Sequence, residues 1–251
     1  MRILLSNDDG FDAPGMTVLK NIAAALSDEV IVVAPAKEQS GASRSLTLHD
    51  PLRLNKHSDT EYSVEGTPTD CVMMALNYLF KDSPPDLILS GVNRGGNLGE
   101  DVLYSGTVAA ASEGTLLGVP SIAISQCQNE AGVFFWETAE ELAPDIIRKL
   151  LEMTWGEGTL MNINFPPVPT DQVEGVVVTR QGKRDLSNLS IDARVDARGR
   201  DYFWLGYRPS FGDPSEGDDL HAVSTGRVSV TPLNLNLTAT GLLDDLRQKL
   251  A

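Results

Sequence analysis

Short apolar runs alternate with stretches of helical spacing up to about residue 160, and this alternation constrains the fold more than any other feature. The runs Arg2–Ser6, Glu29–Ala34 and Asp86–Ser90 are centred on Leu, Ile and Val without polar alternation, which is typical of parallel strands covered on both faces. Met16–Leu26 has apolar residues at helical spacing between the first two runs. Strand, crossover helix and strand in this order build a parallel sheet. The sequence therefore predicts an α/β fold with helices on both faces of the sheet.

Apolar periodicity and turn residues predict the remaining elements. The predicted strands are Arg2–Ser6, Glu29–Ala34, Leu46–Leu54, Glu61–Val64, Asp86–Ser90, Pro120–Ser125, Leu160–Phe165, Gly175–Arg180, Asp201–Gly206 and Arg227–Pro232. The predicted helices are Met16–Leu26, Thr67–Phe80, Thr107–Leu117, Glu137–Met153 and Gly241–Leu250. Beyond about residue 160 the predicted strands are short and separated by many turn residues, so we expect a compact core followed by an irregular extension.

The composition argues against several classes of partner. Lys and Arg number 20 and Asp and Glu number 35, so the formal net charge is −15. Neutralising a nucleic acid polymer or an anionic membrane needs clustered basic side chains, which this balance disfavours. The N-terminal apolar run is too short for a secretory signal, and no run approaches the ~18 apolar residues of a membrane span. We therefore expect a cytoplasmic protein without a nucleic acid polymer or membrane as partner.

Polar loops follow three of the predicted strands, and the first of them indicates a metal site. Ligands of open parallel sheets bind beyond the carboxyl ends of the strands. Asp8 and Asp9 lie at such an end, before Gly10, and adjacent carboxylates repel each other unless a proton or a cation intervenes. A hard divalent cation held by these carboxylates and by Ser or Asn oxygens from neighbouring loops would resolve the repulsion. The alternative is a solvated turn or a helix cap.

The other polar segments indicate an anion site on the same edge. The loop Gly91–Gly99 contains neither a dinucleotide-binding nor a P-loop motif, but its glycines allow backbone amides to approach a ligand. Asn93 and Asn97 add amide groups to this loop. Ser105-Gly106-Thr107 opens an apolar helix, and a helix N-terminus binds anions, although Ser and Thr there also serve as simple caps. Together, a cation site and an anion site indicate a metal-assisted reaction of a phosphate ester.

Other catalytic chemistries fit the sequence poorly. The three histidines, His49, His57 and His221, have no neighbouring catalytic motif, and there is no G-x-S-x-G nucleophile elbow. The two cysteines, Cys71 and Cys127, lie in apolar stretches without the spacing of metal ligands. We expect both cysteines to be buried apolar residues.

Six segments of the chain resemble the SurE family of stationary-phase survival proteins. They are Met1–Gly10 with Ala13–Gly15, Ser40–Ser43 with Ser45–Thr47, Gly66–Cys71, Ser90–Gly95 with Asn97–Gly99, Tyr104–Ala111 and Val228–Leu233. The resemblance covers essentially the whole chain and is densest over residues 1–125.

The resemblance implies a fold, an activity and an assembly. The implied fold is a Rossmann-like core with a C-terminal hairpin and helix that are exchanged between subunits. Residues 1–251 would form a single domain, with the core ending at about residue 180. The extension, about residues 181–251, would join a homodimer or homotetramer. The activity is that of a metal-dependent 5′-nucleotidase, which releases phosphate from nucleoside 5′-monophosphates and, in some members, from 3′-monophosphates and short polyphosphate. One divalent ion per subunit, Mg²⁺ or Mn²⁺, is the implied cofactor.

The resemblance also implies the site residues, position by position. The implied metal ligands form an all-oxygen set suited to Mg²⁺ or Mn²⁺. They are Asp8, Asp9, Ser40 and Asn93. The implied phosphate contacts are Asn97, Ser105, Gly106 and Thr107.

In the expected mechanism, water activated by the cation attacks phosphorus in line. Asp8 and Asp9 are the expected catalytic residues, because both hold the cation and Asp9 also orients or deprotonates the water. An aspartyl-phosphate on Asp9 is less favoured, since a carboxylate engaged with a metal is a weakened nucleophile. A nucleotide-sensing protein with negligible turnover is the alternative function, and it would bind a nucleotide without releasing phosphate.

Two segments depart from the family pattern. Ala36–Gln39 stands where many members have Asp-Arg-Asn-x, and it places Glu38 where Asn is common. Residues 217–221 replace a Gly-Thr-Asp followed by an aromatic residue. The first departure bears on substrate contacts near the metal, and the second bears on contacts of the exchanged arm.

Overall fold

The computed structural model of the chain describes residues 1–184, 190–206 and 212–251. Its strands are β1 (Arg2–Ser6), β2 (Glu29–Pro35), β3 (Leu54–Lys56), β4 (Glu61–Val64), β5 (Leu87–Arg94), β6 (Ser121–Gln126), β7 (Thr159–Phe165), β8 (Val176–Val178), β9 (Ser190–Val195), β10 (Asp201–Gly206) and β11 (Val228–Asn234). Its α-helices are α1 (Pro14–Ala24), α2 (Pro68–Met74), α3 (Gly106–Leu116), α4 (Trp136–Leu151), α5 (Asp219–Ser224) and α6 (Leu243–Leu250). A π-helical turn, Ala75–Leu79, continues α2, and 3₁₀ turns cover Gly99–Leu103, Thr170–Gln172 and Thr240–Leu242.

Nine strands form one sheet in the order β3-β4-β2-β1-β5-β6-β7-β11-β8. Neighbouring strands are parallel except for the antiparallel pairs β3–β4 and β7–β11. The predicted α/β fold with a largely parallel sheet is confirmed. The chain first builds β2 on one side of β1 and later returns to place β5 on the other side. The carboxyl ends of β1 and β5 therefore flank a topological switch point, where ligands of such sheets bind.

Helices cover both faces of the sheet, as the sequence predicts. Ile3 and Leu5 of β1 are fully buried in a cluster to which α1 and α4 contribute. Leu4 points to the opposite face and packs in a second cluster, with side chains from α2 and α3. Successive strand residues point to opposite faces, so an unbroken apolar run is what a strand covered on both sides requires.

The predicted strand over Leu46–Leu54 is largely wrong, because only Leu54 belongs to a strand. Thr47 in this segment and Ser45 just before it are instead hydrogen-bonded to the N-terminus of α2. The backbone N–H and the hydroxyl of Thr47 donate to the Asp70 carboxylate at 3.1 and 2.6 Å, and the Thr67 hydroxyl donates to the Ser45 carbonyl at 2.8 Å. Since the Thr67 and Asp70 side chains also form the capping box of α2, helix cap and loop are fixed together.

The C-terminal part contains the predicted hairpin and final helix within the residues that the structure describes, which leave out 185–189 and 207–211. Strand β9 pairs with β10 in a separate antiparallel hairpin, and the sequence analysis did not predict β9. Strand β11 returns to the main sheet between β7 and β8. The division at about residue 180 and the exchange between subunits stay predictions. Within the described ranges, none of the helices combines the length and apolar character needed to cross a membrane.

Candidate active site

A cleft of about 690 Å³ opens at the carboxyl ends of β1, β2 and β5. Six of the eight predicted site residues line it, namely Asp8, Asp9, Ser40, Asn93, Asn97 and Ser105. Gly106 and Thr107 lie outside the lining residues, and Thr107 is fully buried. The three polar loops singled out in the sequence thus converge on one cleft, because the carboxyl ends of parallel strands share one edge of a sheet.

Asp8 is buried against the start of α3, with 4% of the residue exposed. Its carboxylate accepts a short hydrogen bond from the Thr107 hydroxyl. Its carbonyl accepts the backbone N–H of Gln39 at 2.7 Å, which ties it to the loop after β2. Gly106 allows the helix to come this close, since a Cβ there would lie 2.6 Å from the Cβ of Asp8. In the structure, Thr107 and Gly106 therefore act on Asp8 itself.

Asp9 faces the cleft from the other side of the turn. Its carboxylate accepts the backbone N–H of Arg94, at the end of β5, at 2.9 Å. The Arg94 guanidinium lies over the ring of Phe134, 5.5 Å from its centroid, and its charge lowers the pKa of Asp9. A backbone amide orients the Asp9 carboxylate without neutralising its charge.

The surroundings of the two carboxylates favour a bound cation. The pKa of Asp8 is raised to about 6, chiefly by burial and also by the charge of Asp9, while the Thr107 hydrogen bond partly opposes this rise. Burial also raises the pKa of Asp9, and the nearby charge of Glu38 adds to this effect. Buried carboxylates side by side repel each other unless a proton or a cation intervenes. A divalent cation fits this arrangement.

Neutral oxygens are available to complete the coordination. Among the described residues, no group of three or more His, Cys, Asp and Glu side chains could hold a metal, so two carboxylates need other oxygen donors. Ser40 donates its hydroxyl proton to Glu38 at 2.9 Å. The side-chain N–H of Asn93 donates to the Gly95 carbonyl at 2.8 Å. The side-chain amide oxygen of Asn93 is then available to a cation. Both residues line the cleft, and their role as ligands stays a prediction.

Of the four predicted phosphate contacts, Asn97 and Ser105 line the same cleft, and the role of all four stays a prediction. Ser105 is the N-cap of α3 and accepts the backbone N–H of Val108 at 3.0 Å. The first N–H groups of α3 have no partner within the helix, and the helix dipole favours an anion beside them. Asn97 is 6% exposed and donates its side-chain amide to the Ser125 hydroxyl at 2.8 Å. Cys127 also lines the cleft, and burial raises the pKa of its thiol to about 12, so the thiol stays protonated.

The sequence analysis missed the residues that fix the far end of the glycine-rich loop. Asp219, from the segment that departs from the family pattern, accepts backbone N–H groups of Gly99 and Gly182 at 2.9 Å and of Leu220 at 2.8 Å. The buried Arg184 pairs with Asp101 beside them. The Asp218-Asp219 pair in a turn-rich segment gives no sequence signal for such a long-range contact.

This fold and cleft define a class, the α/β proteins that bind ligands at the switch point of a parallel sheet. The family described as "Survival protein SurE" matches residues 3–188. The 5′-nucleotidase SurE of Caulobacter vibrioides is 56% identical over 241 residues, covering 95% of this chain and 92% of that protein. The 5′-nucleotidase SurE of Beijerinckia indica is 51% identical over 255 residues, covering 100% and 97%. The crystal structure of the SurE protein from Aquifex aeolicus superposes with a TM-score of 0.86 at 38% identity and covers 100% of both chains.

The chain belongs to the SurE family. The family predicted from its sequence motifs is thereby confirmed.

Proposed function

We propose that this protein is a metal-dependent phosphomonoesterase that hydrolyses nucleoside 5′-monophosphates to nucleoside and phosphate. One observation carries the proposal: the carboxylates of the buried Asp8 and the half-buried Asp9 share a cleft with Ser105 at the N-terminus of α3. A cation site and an anion site then meet across one small volume. The relatives in Caulobacter and Beijerinckia bear the name 5′-nucleotidase. Nucleoside 3′-monophosphates and short polyphosphate are further proposed substrates.

The proposed metal ligands are the two carboxylates and two neutral side-chain oxygens. They are Asp8, Asp9, Ser40 and Asn93, which all line the cleft. The all-oxygen set favours one Mg²⁺ or Mn²⁺ per subunit. When bound, such an ion supplies Lewis acidity toward a phosphate oxygen and lowers the pKa of water.

The protein groups around the phosphate have separate proposed roles. Asp9, oriented by the Arg94 amide, positions the attacking water and accepts its proton. Asn97 and the start of α3 at Ser105 donate hydrogen bonds to the equatorial phosphate oxygens, whose charge they stabilise. Thr107 and Gly106 support the site through Asp8.

The test is phosphate release from a panel of nucleoside 5′- and 3′-monophosphates with Mg²⁺, with Mn²⁺ and with EDTA. We expect release that depends on the metal and is abolished by EDTA. Folded protein that binds a nucleotide but releases no phosphate with either metal would contradict the proposal and support the nucleotide-sensing alternative.

We also propose that the C-terminal hairpin joins subunits into a homodimer or homotetramer. Phe203, Trp204 and Leu205 of β10 are 63%, 61% and 83% exposed. Neighbouring large apolar side chains at such exposure mark an interaction surface. The proposed location is the cytoplasm, in keeping with two cysteines that are both free.

A further inference from the structure

Three polar side chains of β6 and β7 are buried in the middle of the sheet, beside the polar residues Ser229 and Thr231 of β11. Ser125 of β6 and Asn162 and Asn164 of β7 are each fully buried. Ser125 and Asn164 are register partners, and Asn162 lies two residues before Asn164. Because strand residues two apart share a face, all three side chains project from one face near the carboxyl ends of β6 and β7.

All three side chains bind a single residue, Asn97. Asn164 accepts the Asn97 backbone N–H at 2.8 Å and donates to the Asn97 carbonyl at 3.1 Å. Asn162 donates to the same carbonyl at 2.8 Å. The Asn97 side chain donates to the Ser125 hydroxyl at 2.8 Å. The Asn164 side chain thus pairs with the Asn97 peptide groups much as a neighbouring strand would.

Burying three polar side chains in a sheet is costly unless they are hydrogen-bonded. Apolar residues of similar size would fill the same space without that cost. What the polar residues add is a fixed position for Asn97, at the point where the glycine-rich loop passes the cleft. The loop has glycine at positions 95 and 96, so its own backbone restrains it little.

We propose that Ser125, Asn162 and Asn164 are positioning residues that hold Asn97 in the geometry that binds the substrate phosphate. The inference rests on the proposed function, because it takes Asn97 as a phosphate contact. The three residues act through Asn97, and their side chains make no hydrogen bond to the proposed metal ligands, although Ser125 is the register partner of Asn93. Substituting these residues should therefore weaken phosphate binding and leave metal binding nearly unchanged.

The test compares Asn164→Leu and Ser125→Ala with the wild-type full-length protein. Inorganic phosphate is titrated calorimetrically in excess Mg²⁺, and Mn²⁺ affinity is measured separately. We expect the phosphate dissociation constant to rise about tenfold or more in Asn164→Leu, and by a smaller factor in Ser125→Ala. The Mn²⁺ dissociation constant should change by less than about threefold, the equivalent of about 0.6 kcal/mol.

Thr231→Val is the matched control, since Thr231 is a buried polar residue of β11 that bonds Thr179 at 2.7 Å in the same sheet. It should lower stability without changing phosphate affinity. The inference would be overturned if both variants, Asn164→Leu and Ser125→Ala, fold and bind phosphate with wild-type affinity. If Asn164→Leu does not fold, the phosphate affinity of Ser125→Ala decides alone. A wild-type protein without turnover would contradict the proposed function only, because phosphate affinity is measured without turnover.

Discussion

Asp8 and Asp9 are adjacent in sequence but have different surroundings. Asp8 is enclosed by the start of α3 and bonded by a hydroxyl, whereas Asp9 faces the cleft and is bonded by a backbone amide. A buried and enclosed carboxylate suits the holding of a cation, and a half-buried one can also reach a water molecule. This difference assigns the proton-accepting role to Asp9 in the proposed reaction.

Asp9→Asn is expected to lower kcat/KM by a factor of about 10³, or about 4 kcal/mol of transition-state stabilisation. The amide keeps the shape and the bond from the Arg94 N–H but loses the charge and the basicity. Steady-state phosphate release and circular dichroism check the rate and the fold. Activity within a few-fold of wild type in a folded variant would remove Asp9 from the mechanism.

Asp8→Asn is expected to stabilise the metal-free protein at pH 7. The folded-state pKa of Asp8, about 6, lies above its ordinary value of 3.8, so the folded protein binds the proton more tightly than the unfolded chain does. The charged side chain therefore costs stability at pH 7, and this cost shrinks as the pH falls from about 6 toward 3.8, below which Asp8 is protonated in the folded and the unfolded state alike. The gain from Asp8→Asn should be about 1 to 3 kcal/mol.

Urea unfolding in EDTA at pH 7 and pH 5 measures this effect. The stability difference between Asp8→Asn and wild type should shrink at pH 5, and added Mn²⁺ should stabilise wild type more than the variant. An Asp8→Asn protein that is less stable than wild type at pH 7 in EDTA would contradict the argument.

At the scale of elements, the site depends on how closely α3 approaches the end of β1. The sequence motif Ser105-Gly106-Thr107 is compatible with a plain helix cap, and Ser105 does cap α3. What the motif could not reveal is that Gly106 leaves room for the Asp8 side chain and that Thr107 bonds its carboxylate. These contacts join residues about a hundred positions apart, so local pattern did not predict them.

Gly106→Ala should push α3 away from Asp8, because the added Cβ would lie 2.6 Å from the Asp8 Cβ. Overpacking of this kind costs about 1 to 3 kcal/mol, and activity should fall with it. Thermal unfolding and phosphate release provide the measurements. Gly241→Ala is the control, since a Cβ there meets nothing within 4 Å. Equal behaviour of the two variants would refute the close-approach argument.

Asp219, the first residue of α5, ties the 3₁₀ turn at Gly99 and the loop at Gly182 to its own helix through the backbone N–H groups of Gly99, Gly182 and Leu220. Asp219→Ala leaves these groups without their carboxylate partner and should cost about 1 to 3 kcal/mol of stability. Asp218→Ala removes an ion pair between the 12% exposed Asp218 side chain and the 67% exposed Arg180 side chain. Because the guanidinium that remains is solvated, the loss should cost less than about 1 kcal/mol. Urea unfolding of both variants compares the two costs. Similar costs would argue against a special role for Asp219.

At the scale of the whole molecule, the main sheet closes its core while the β9–β10 hairpin leaves its apolar side chains exposed. Ile191 and Leu205 face each other across the hairpin and are 68% and 83% exposed. Replacing Phe203 and Leu205 with lysine should weaken subunit association, which light scattering coupled to size exclusion would detect. Unchanged mass at all concentrations would rule out this hairpin as the interface.

The sequence by itself determined the layered α/β fold, the family and the loops that form the cleft. Unbroken apolar strands and helical periodicity are local patterns, and parallel strands necessarily bring their carboxyl ends to one edge. Tertiary structure alone decided which polar groups meet. Three sets of hydrogen bonds join distant segments of the chain. They are the bond from Thr107 to Asp8, the bonds that Asp219 accepts from backbone N–H groups, and the bonds of Asn97 with Ser125, Asn162 and Asn164. Such pairings depend on strand register and helix placement, which no local pattern encodes.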